Sequence, residues 1–544
     1  MPIELNLIQN RKSVVWLAAE PPEDAKRVFK EREYNVGPCT DQDLQQSGYL
    51  AGLTAVVFTQ QPNNLGKIAG DLRNHAQRLL NYDCKIVMRS APGGLPVLIQ
   101  TINALKLPVV GVPLPEANDL KWQRREDGDP PAPYALYFDE AVAWSGIANL
   151  VTERPSGPAP NPNLTITIEP RIGENGAPQE VTLSDDYELL IRRAFWNCAD
   201  VHLTPMEKGN SGVDVYRACA ELTGGLHGSW PQPYFLKIGE RGKVLAEYKN
   251  YVWHVDPYVP FHLGPHLVSE RCCLGANGGV LVGDYVEEAE DLCNCAPEGR
   301  ASPAIACLFD RTLLGWHRRA HPEPTPISQG LLARFPRKIN AIRMAKAREL
   351  GATLDIGALR GLFERCTSSP VLVGPIHGDL HSGNVRVRAT DAIVIDFVQH
   401  RDYPLIFDAA CLEASLLVEG FANDKRSPQE WLESLKPLYE TSPLEGAAVT
   451  QANPKNRSFW FHASVHQIRR YARQWECGPN QYSGALALAL LIKAVKDPNA
   501  SEPEAYRRAG AYLIAEKILL KSFGNQQQGQ AGPQPQAPAP AVAS

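Results

Sequence analysis

The stretch "PIHGDLHSGNVRV", Pro375 to Val387, sets His377, Asp379, His381, Ser382 and Asn384 in one short loop between runs of Val and Ile. Polar side chains this dense between two strand-like runs cost stability unless the loop does chemistry. A carboxylate at Asp379 is suited to accept the proton of an attacking hydroxyl. Asn384 offers an amide oxygen to a hard cation. The downstream run "AIVIDF" carries Asp396 near its end, a second oxygen ligand of the kind Mg2+ prefers. The runs "VRVRA" and "AIVIDF", joined by a turn at Thr390–Asp391, predict a hairpin that brings Asn384 and Asp396 to the same end.

Upstream segments offer what phosphoryl transfer from ATP requires. In "MEKGNSGVDVYRA", Gly209, Ser211 and Gly212 lie between strand-like runs, where backbone N–H groups can approach a triphosphate. A plain hairpin turn would read the same way. In "YFLKIG" Lys237 stands alone near the centre of an apolar strand, as a contact to the α/β-phosphates or as the exposed side of an edge strand. "RGKVLAEYKNYVWHV" predicts a helix on which Glu247 can pair with Lys237. A solvated Glu is the alternative reading, and Glu240 in the preceding turn is a competing partner. "GGVLVGDYVEEAEDL" predicts a buried strand whose end, Tyr285 to Glu287, would meet adenine through its backbone. A small β-rich portion followed by a large helical one is the outline of a kinase.

With these segments in order, H-G-D-L-H-S-G-N followed by I-D-F resembles the catalytic and metal-binding segments of the aminoglycoside phosphotransferase and choline kinase superfamily. The resemblance covers roughly residues 180–522 and is strongest at 376–397. It implies a two-lobed protein-kinase-like fold, ATP as co-substrate and Mg2+ as cofactor. It implies Asp379 as the base, Asn384 and Asp396 as metal ligands, Lys237 with Glu247 positioning the phosphates, and His377 as organiser of the loop. His381 stands where protein kinases typically carry Lys, as in many small-molecule phosphotransferases. Asp408 is expected to cap the helix that follows.

The fold class expected is multidomain: an N-terminal α/β domain and an α+β kinase-like domain. Residues 1–115 alternate apolar runs ("SVVWLAA", "TAVVFTQ", "CKIVMRS", "LPVVGVPLP") with helical stretches such as "KIAGDLRNHAQRLLN". Continuous apolar runs predict strands covered on both faces, hence a parallel sheet. The pattern resembles a flavodoxin-like response-regulator receiver whose chemistry is lost. Thr59, Gln60 and Gln61 stand where a phosphoacceptor Asp is expected, and Val112 and Pro113 where a Lys is expected. Such a domain is expected to serve docking to a protein partner. Residues 116–165, rich in Pro, read as a linker, 166–290 as the smaller lobe, 291–522 as the helical lobe, and 523–544 as a disordered Gln/Pro/Ala tail.

A chain of 544 residues with net charge −5 gives no global reason for nucleic-acid or anionic-membrane binding. No stretch reaches the roughly 18 apolar residues of a membrane span, and "GALALALLIKAV" reads as a buried helix. The N-terminus lacks the pattern of a secretory signal, so a cytoplasmic protein is expected. Twelve scattered cysteines, with close pairs only at Cys272–Cys273 and Cys293/Cys295, fit buried thiols better than zinc ligands. The basic stretch "ARFPRKINAIRMAKAREL" reads as a solvated helix face, with phosphate or nucleic-acid contact as the alternative. The acceptor is an unidentified hydroxyl-bearing small molecule or protein. The rival readings are a kinase-fold scaffold in a bacterial signalling or conflict system, and transfer of AMP instead of phosphate.

Overall fold

The apolar runs near the N-terminus form strands covered on both faces. The structure, a computed structural model, describes residues 11–59, 65–90, 135–139, 142–153, 157–172, 177–206, 213–223, 232–397, 401–440, 443–444, 458–497 and 500–524. Strands Asn35–Cys39, Ser13–Leu17, Leu53–Thr59, Lys85–Ser90 and Ala135–Asp139 lie side by side in that order, all parallel. Successive side chains point to opposite faces. Val15, Leu17, Val56 and Phe58 pack with Leu72, Leu79 and Leu80 of the Leu65–Asn81 helix. Val14, Trp16 and Val57 pack on the other face with Phe29, Ile147 and Val151.

This sheet corrects the expected boundary at residue 115. Ala135–Asp139 is its outer strand, and the Trp144–Glu153 helix buries Trp144, Ile147, Leu150 and Val151 against it. Both elements fall inside the expected linker, so at least those residues belong to the N-terminal domain. The expected strand at 107–115, with Val112 and Pro113, lies outside the described residues, as do Gln60 and Gln61.

Met1–Trp253 and Pro265–Tyr285 make up the first of two units. It also contains a six-stranded sheet in the order Cys273–Leu274, Gly278–Asp284, Gln232–Glu240, Asp214–Leu222, Cys198–Pro205, Thr165–Ile168. Leu236 and Ile238 pack on one face with Leu190 and Ile191 of the Asp185–Ala194 helix. The other face, at Leu281, is covered by Val244 and Tyr248 of the Arg241–Asn250 helix. The end of the Leu65–Asn81 helix is bonded to this second sheet and its helix. The Asn81 side chain donates to Asp186 (2.6 Å) and accepts from Ala276 N (2.9 Å). Arg193, only 1% exposed, donates to Asn81 O and Leu274 O and faces Asp83 at 3.5 Å. Arg193→Ala removes the guanidinium that faces the buried Asp83 carboxylate and is expected to destabilise this unit by about 3 kcal/mol. Chemical denaturation of the full chain measures that loss.

The second unit comprises His254–Gly264 and Val286–Ser544. It is mainly helical, with small sheets Glu290–Asp291/Val385–Arg388/Asp391–Val394 and His321–Glu323/Val371–Ile376/Arg401–Pro404. The Gln481–Val495 helix is buried along nearly its whole length. Among the described residues no helix is long and apolar enough to cross a membrane. The basic stretch forms an α-helix only from Ala341 to Glu349, capped by Asn340, and its Arg343 is buried. The solvated-face reading therefore fails at Arg343. Phe523, assigned to the tail, ends the Glu502–Phe523 helix and is 2% exposed.

Candidate active site

The strand Val371–Ile376 delivers the chain into the polar loop at His377. Gly378 has φ +79, a left-handed conformation that favours glycine. Through this turn the N–H groups of His377 and Gly378 both donate to the buried Asp408 carboxylate, at 2.7 and 3.0 Å. Asp408 is in the first turn of the Ile406–Glu419 helix, but Leu405 is the N-cap residue. The expected cap is thus corrected: the carboxylate anchors the loop. Burial raises its pKa, against the pull of His377 and the two N–H donors.

His377 is fully buried. Its Nε2 lies 2.9 Å from Ile395 O and its Nδ1 3.4 Å from Asp379 N, while its ring packs 5.4 Å from Phe397. A ring that donates at Nε2 and accepts at Nδ1 satisfies both bonds. His377 therefore ties the loop to the segment that carries Asp396. The hairpin expected from the sequence forms, with Val385–Arg388 antiparallel to Asp391–Val394 and Val385 opposite Val394. Beyond that register Ile395 N donates to Asn384 O at 3.0 Å, so Asn384 and Asp396 are brought to one end. Asp396 has φ +66. The Asn384 amide nitrogen donates to Asp379 O at 3.0 Å, which leaves the amide oxygen as the atom suited to a cation.

The Asp379 side chain is 40% exposed and lies 3.4 Å from Lys496 Nζ. Burial alone would raise its pKa, but Lys496 and then His381 outweigh it and hold the carboxyl below the ordinary range. His381 accepts from Gly383 N at 3.2 Å, and burial together with Lys493 pushes it down to about 4. Below the loop, Ser382 N donates to Ser415 Oγ (2.7 Å). Both serine hydroxyls lie within 2.9 Å of Glu419, which also pairs with Lys493. Burial alone would raise the Glu419 carboxyl, but Lys493 and His381 hold it at about 2.

A depressed carboxylate stabilises fully above its unfolded pKa and loses that contribution as pH falls through the folded value. Melting temperatures of wild type should therefore drop between about pH 5 and pH 2 more steeply than those of Glu419→Gln.

In the first unit, Lys237 lies opposite Leu281 on the face covered by the Arg241–Asn250 helix, and its Nζ meets Glu247 Oε1 at 2.5 Å. The pairing expected from the sequence is present, with Glu247 only 9% exposed. Strands flank Lys237 on both sides, so the edge-strand alternative fails. Tyr285 follows the Gly278–Asp284 strand, and its ring lies under Arg217 at 5.5 Å. The chain passes to the second unit after Tyr285, ahead of Glu287. Gly209, Ser211 and Gly212 lie outside the described residues. Sequence reasoning missed Asp408's anchoring role, Glu419 and Lys496. Each acts from a distant helix or its end, and no local spacing marks it.

Residues 281–427, which contain the loop, Asp396 and Asp408, match the family model described as "Phosphotransferase enzyme family". No curated protein matches the chain. Among solved structures, the chain is similar to an amicoumacin kinase in complex with AMP-PNP, Ca2+ and Ami (13% identity, 59% of this chain and 89% of that one, TM-score 0.32). It is also similar to a thermostable mutant of an aminoglycoside phosphotransferase with ADP and hygromycin B (11%, 61% and 99%, TM-score 0.36). A choline/ethanolamine kinase family protein from Mesorhizobium loti is a third (14%, 58% and 88%, TM-score 0.30).

Proposed function

We propose that this chain is an ATP- and Mg2+-dependent phosphotransferase that passes the γ-phosphate to a hydroxyl of its acceptor. The observation that carries the reading is the anchored loop. Asp408 and His377 hold Asp379 and Asn384 beside the end of the hairpin that bears Asp396, within a segment matched to a phosphotransferase family. Asp379 accepts the hydroxyl proton, and the half-exposed position of its carboxylate suits an incoming acceptor. Asn384 and Asp396 would hold the cation. Oxygen donors from two side chains suit Mg2+, which keeps several waters and, when bound, offsets charge on the triphosphate. Lys237, held by Glu247, is the phosphate contact. Gly209, Ser211 and Gly212 are assigned to the triphosphate, and Tyr285 to Glu287 to the adenine. A supply of ATP implies the cytoplasm.

For the N-terminal domain we propose a receiver-like module used for docking a protein partner. The all-parallel strand order second-first-third-fourth-fifth is the doubly wound order that supports this reading.

Incubation of the full chain with Mg2+, ATP and a panel of hydroxyl compounds and co-purifying proteins should accumulate ADP and a phosphorylated acceptor. Tight MgATP binding with no product across the panel would replace this reading with that of a kinase-fold scaffold.

A further inference from the structure

We infer that Lys496 is a positioning residue of the transfer site, delivered from a distant helix end to set a cation against Asp379. The inference rests on the phosphotransferase reading above. Among the described residues around the loop, the other candidate cations have separate work. Lys493 pairs with Glu419, which holds Ser382 and Ser415. His377 is committed to Ile395 O, and His381 accepts from Gly383 N. Lys496 Nζ meets the Asp379 carboxylate at 3.4 Å, and the two side chains are 36% and 40% exposed, so an incoming ligand can reach both.

The way Lys496 is held argues against a casual surface pair. It directly follows the buried Gln481–Val495 helix, and its N–H closes that helix on Ile492 O. Two buried guanidinium groups then bind the carbonyls around it. Arg343 donates to Ala494 O (2.8 Å) and Asp497 O (3.0 Å), and Arg508 donates to Lys493 O (2.7 Å). Their exposures are 2% and 6%. Burying guanidinium groups is costly unless they are well bonded. Here they fix one short turn, with Asp497 at φ +49, whose product is the placement of Lys496. Exposed ion pairs in general contribute little to stability, so stability alone does not account for that investment.

In the transfer step the acceptor O–H bond breaks and its proton passes to Asp379. A bond forms between that oxygen and the γ-phosphorus, and the bond to the β-phosphate oxygen breaks to release ADP. Charge spread over the transferred group's oxygens rewards a fixed cation close by. Lys496 orients the Asp379 carboxylate for the acceptor and adds a fixed positive charge beside it.

The test compares wild type, Lys496→Met, Lys496→Arg and Asp379→Asn. Lys496→Met keeps the backbone bonds of the turn, so its melting temperature should match wild type. Its kcat for ATP turnover should fall about 100-fold with KM for ATP changed by no more than roughly twofold, and Lys496→Arg should recover much of the loss. Retention of ADP with Mg2+ and aluminium fluoride, a mimic of the transferring phosphoryl, should weaken in Lys496→Met while binding of ADP alone does not. Wild-type kcat and wild-type retention in Lys496→Met, with Asp379→Asn inactive, would overturn the inference and leave the phosphotransferase reading standing. Full turnover in Asp379→Asn, or a wild type that neither turns over ATP nor traps ADP, would overturn that reading and this inference with it.

Discussion

Asp379→Asn is expected to lower ATP-dependent transfer by about a thousandfold while the chain stays folded and binds nucleotide. The substitution keeps the shape of the side chain and removes its charge and its capacity to take a proton. The bonds that hold the loop run through backbone groups of residue 379: its N–H to His377 Nδ1 and its carbonyl from the Asn384 amide. Those bonds survive, as do the two N–H donors to Asp408. The half-exposed pair with Lys496 is lost, and an exposed pair of this kind is worth less than about 1 kcal/mol. Rate and stability should therefore separate cleanly. Parallel measurements of melting temperature, nucleotide binding and ADP release decide whether they do.

Glu413→Ala should be among the most damaging single substitutions to the fold, at about 3–5 kcal/mol. Glu413 is 0% exposed and lies on the same Ile406–Glu419 helix as Asp408, Ser415 and Glu419. Its carboxylate accepts from Arg469 Nε (3.0 Å) and a second Arg469 nitrogen (2.6 Å), from Tyr439 (3.0 Å) and from Tyr482 (2.8 Å). Truncation leaves a buried guanidinium with the Leu438 carbonyl and strands the two phenols. Glu413→Gln retains an acceptor oxygen and should cost less, although it gives up the charge. Denaturant titration of the full chain should show the order wild type, Gln, Ala. Because the same helix anchors the loop at His377 and Gly378, the Ala variant should also lose turnover at temperatures where it remains folded.

The parts legible in the sequence are those whose partners lie close along the chain. The loop at 375–387 and the hairpin carrying Asp396 are local, and so is the Lys237–Glu247 pair. A single strand and the helix after it supply both of those residues. The alternation of Val14, Val15, Trp16 and Leu17 between two cores made the parallel sheet readable from apolar runs. Asn35–Cys39 carries no such apolar run, because Gly37 and Pro38 interrupt it. Pro38 is tolerated there because the strand is at the sheet edge. Ala135–Asp139 was hidden by the prolines before it, since composition averaged over a window drowns a short strand. Asp408 and Lys496 reach the loop through tertiary packing, with no spacing rule to announce them. Arg343 reads as part of a solvated basic face because its carbonyl partners lie near the end of a distant helix.

The most direct test is phosphorus NMR of the nucleotide products formed by the full chain with Mg2+, ATP and the acceptor panel, run beside Asp379→Asn. Formation of ADP together with a new phosphoester resonance, both absent from the variant, is the predicted result. Formation of AMP and pyrophosphate, or equal product from wild type and Asp379→Asn, would contradict γ-phosphoryl transfer at this site.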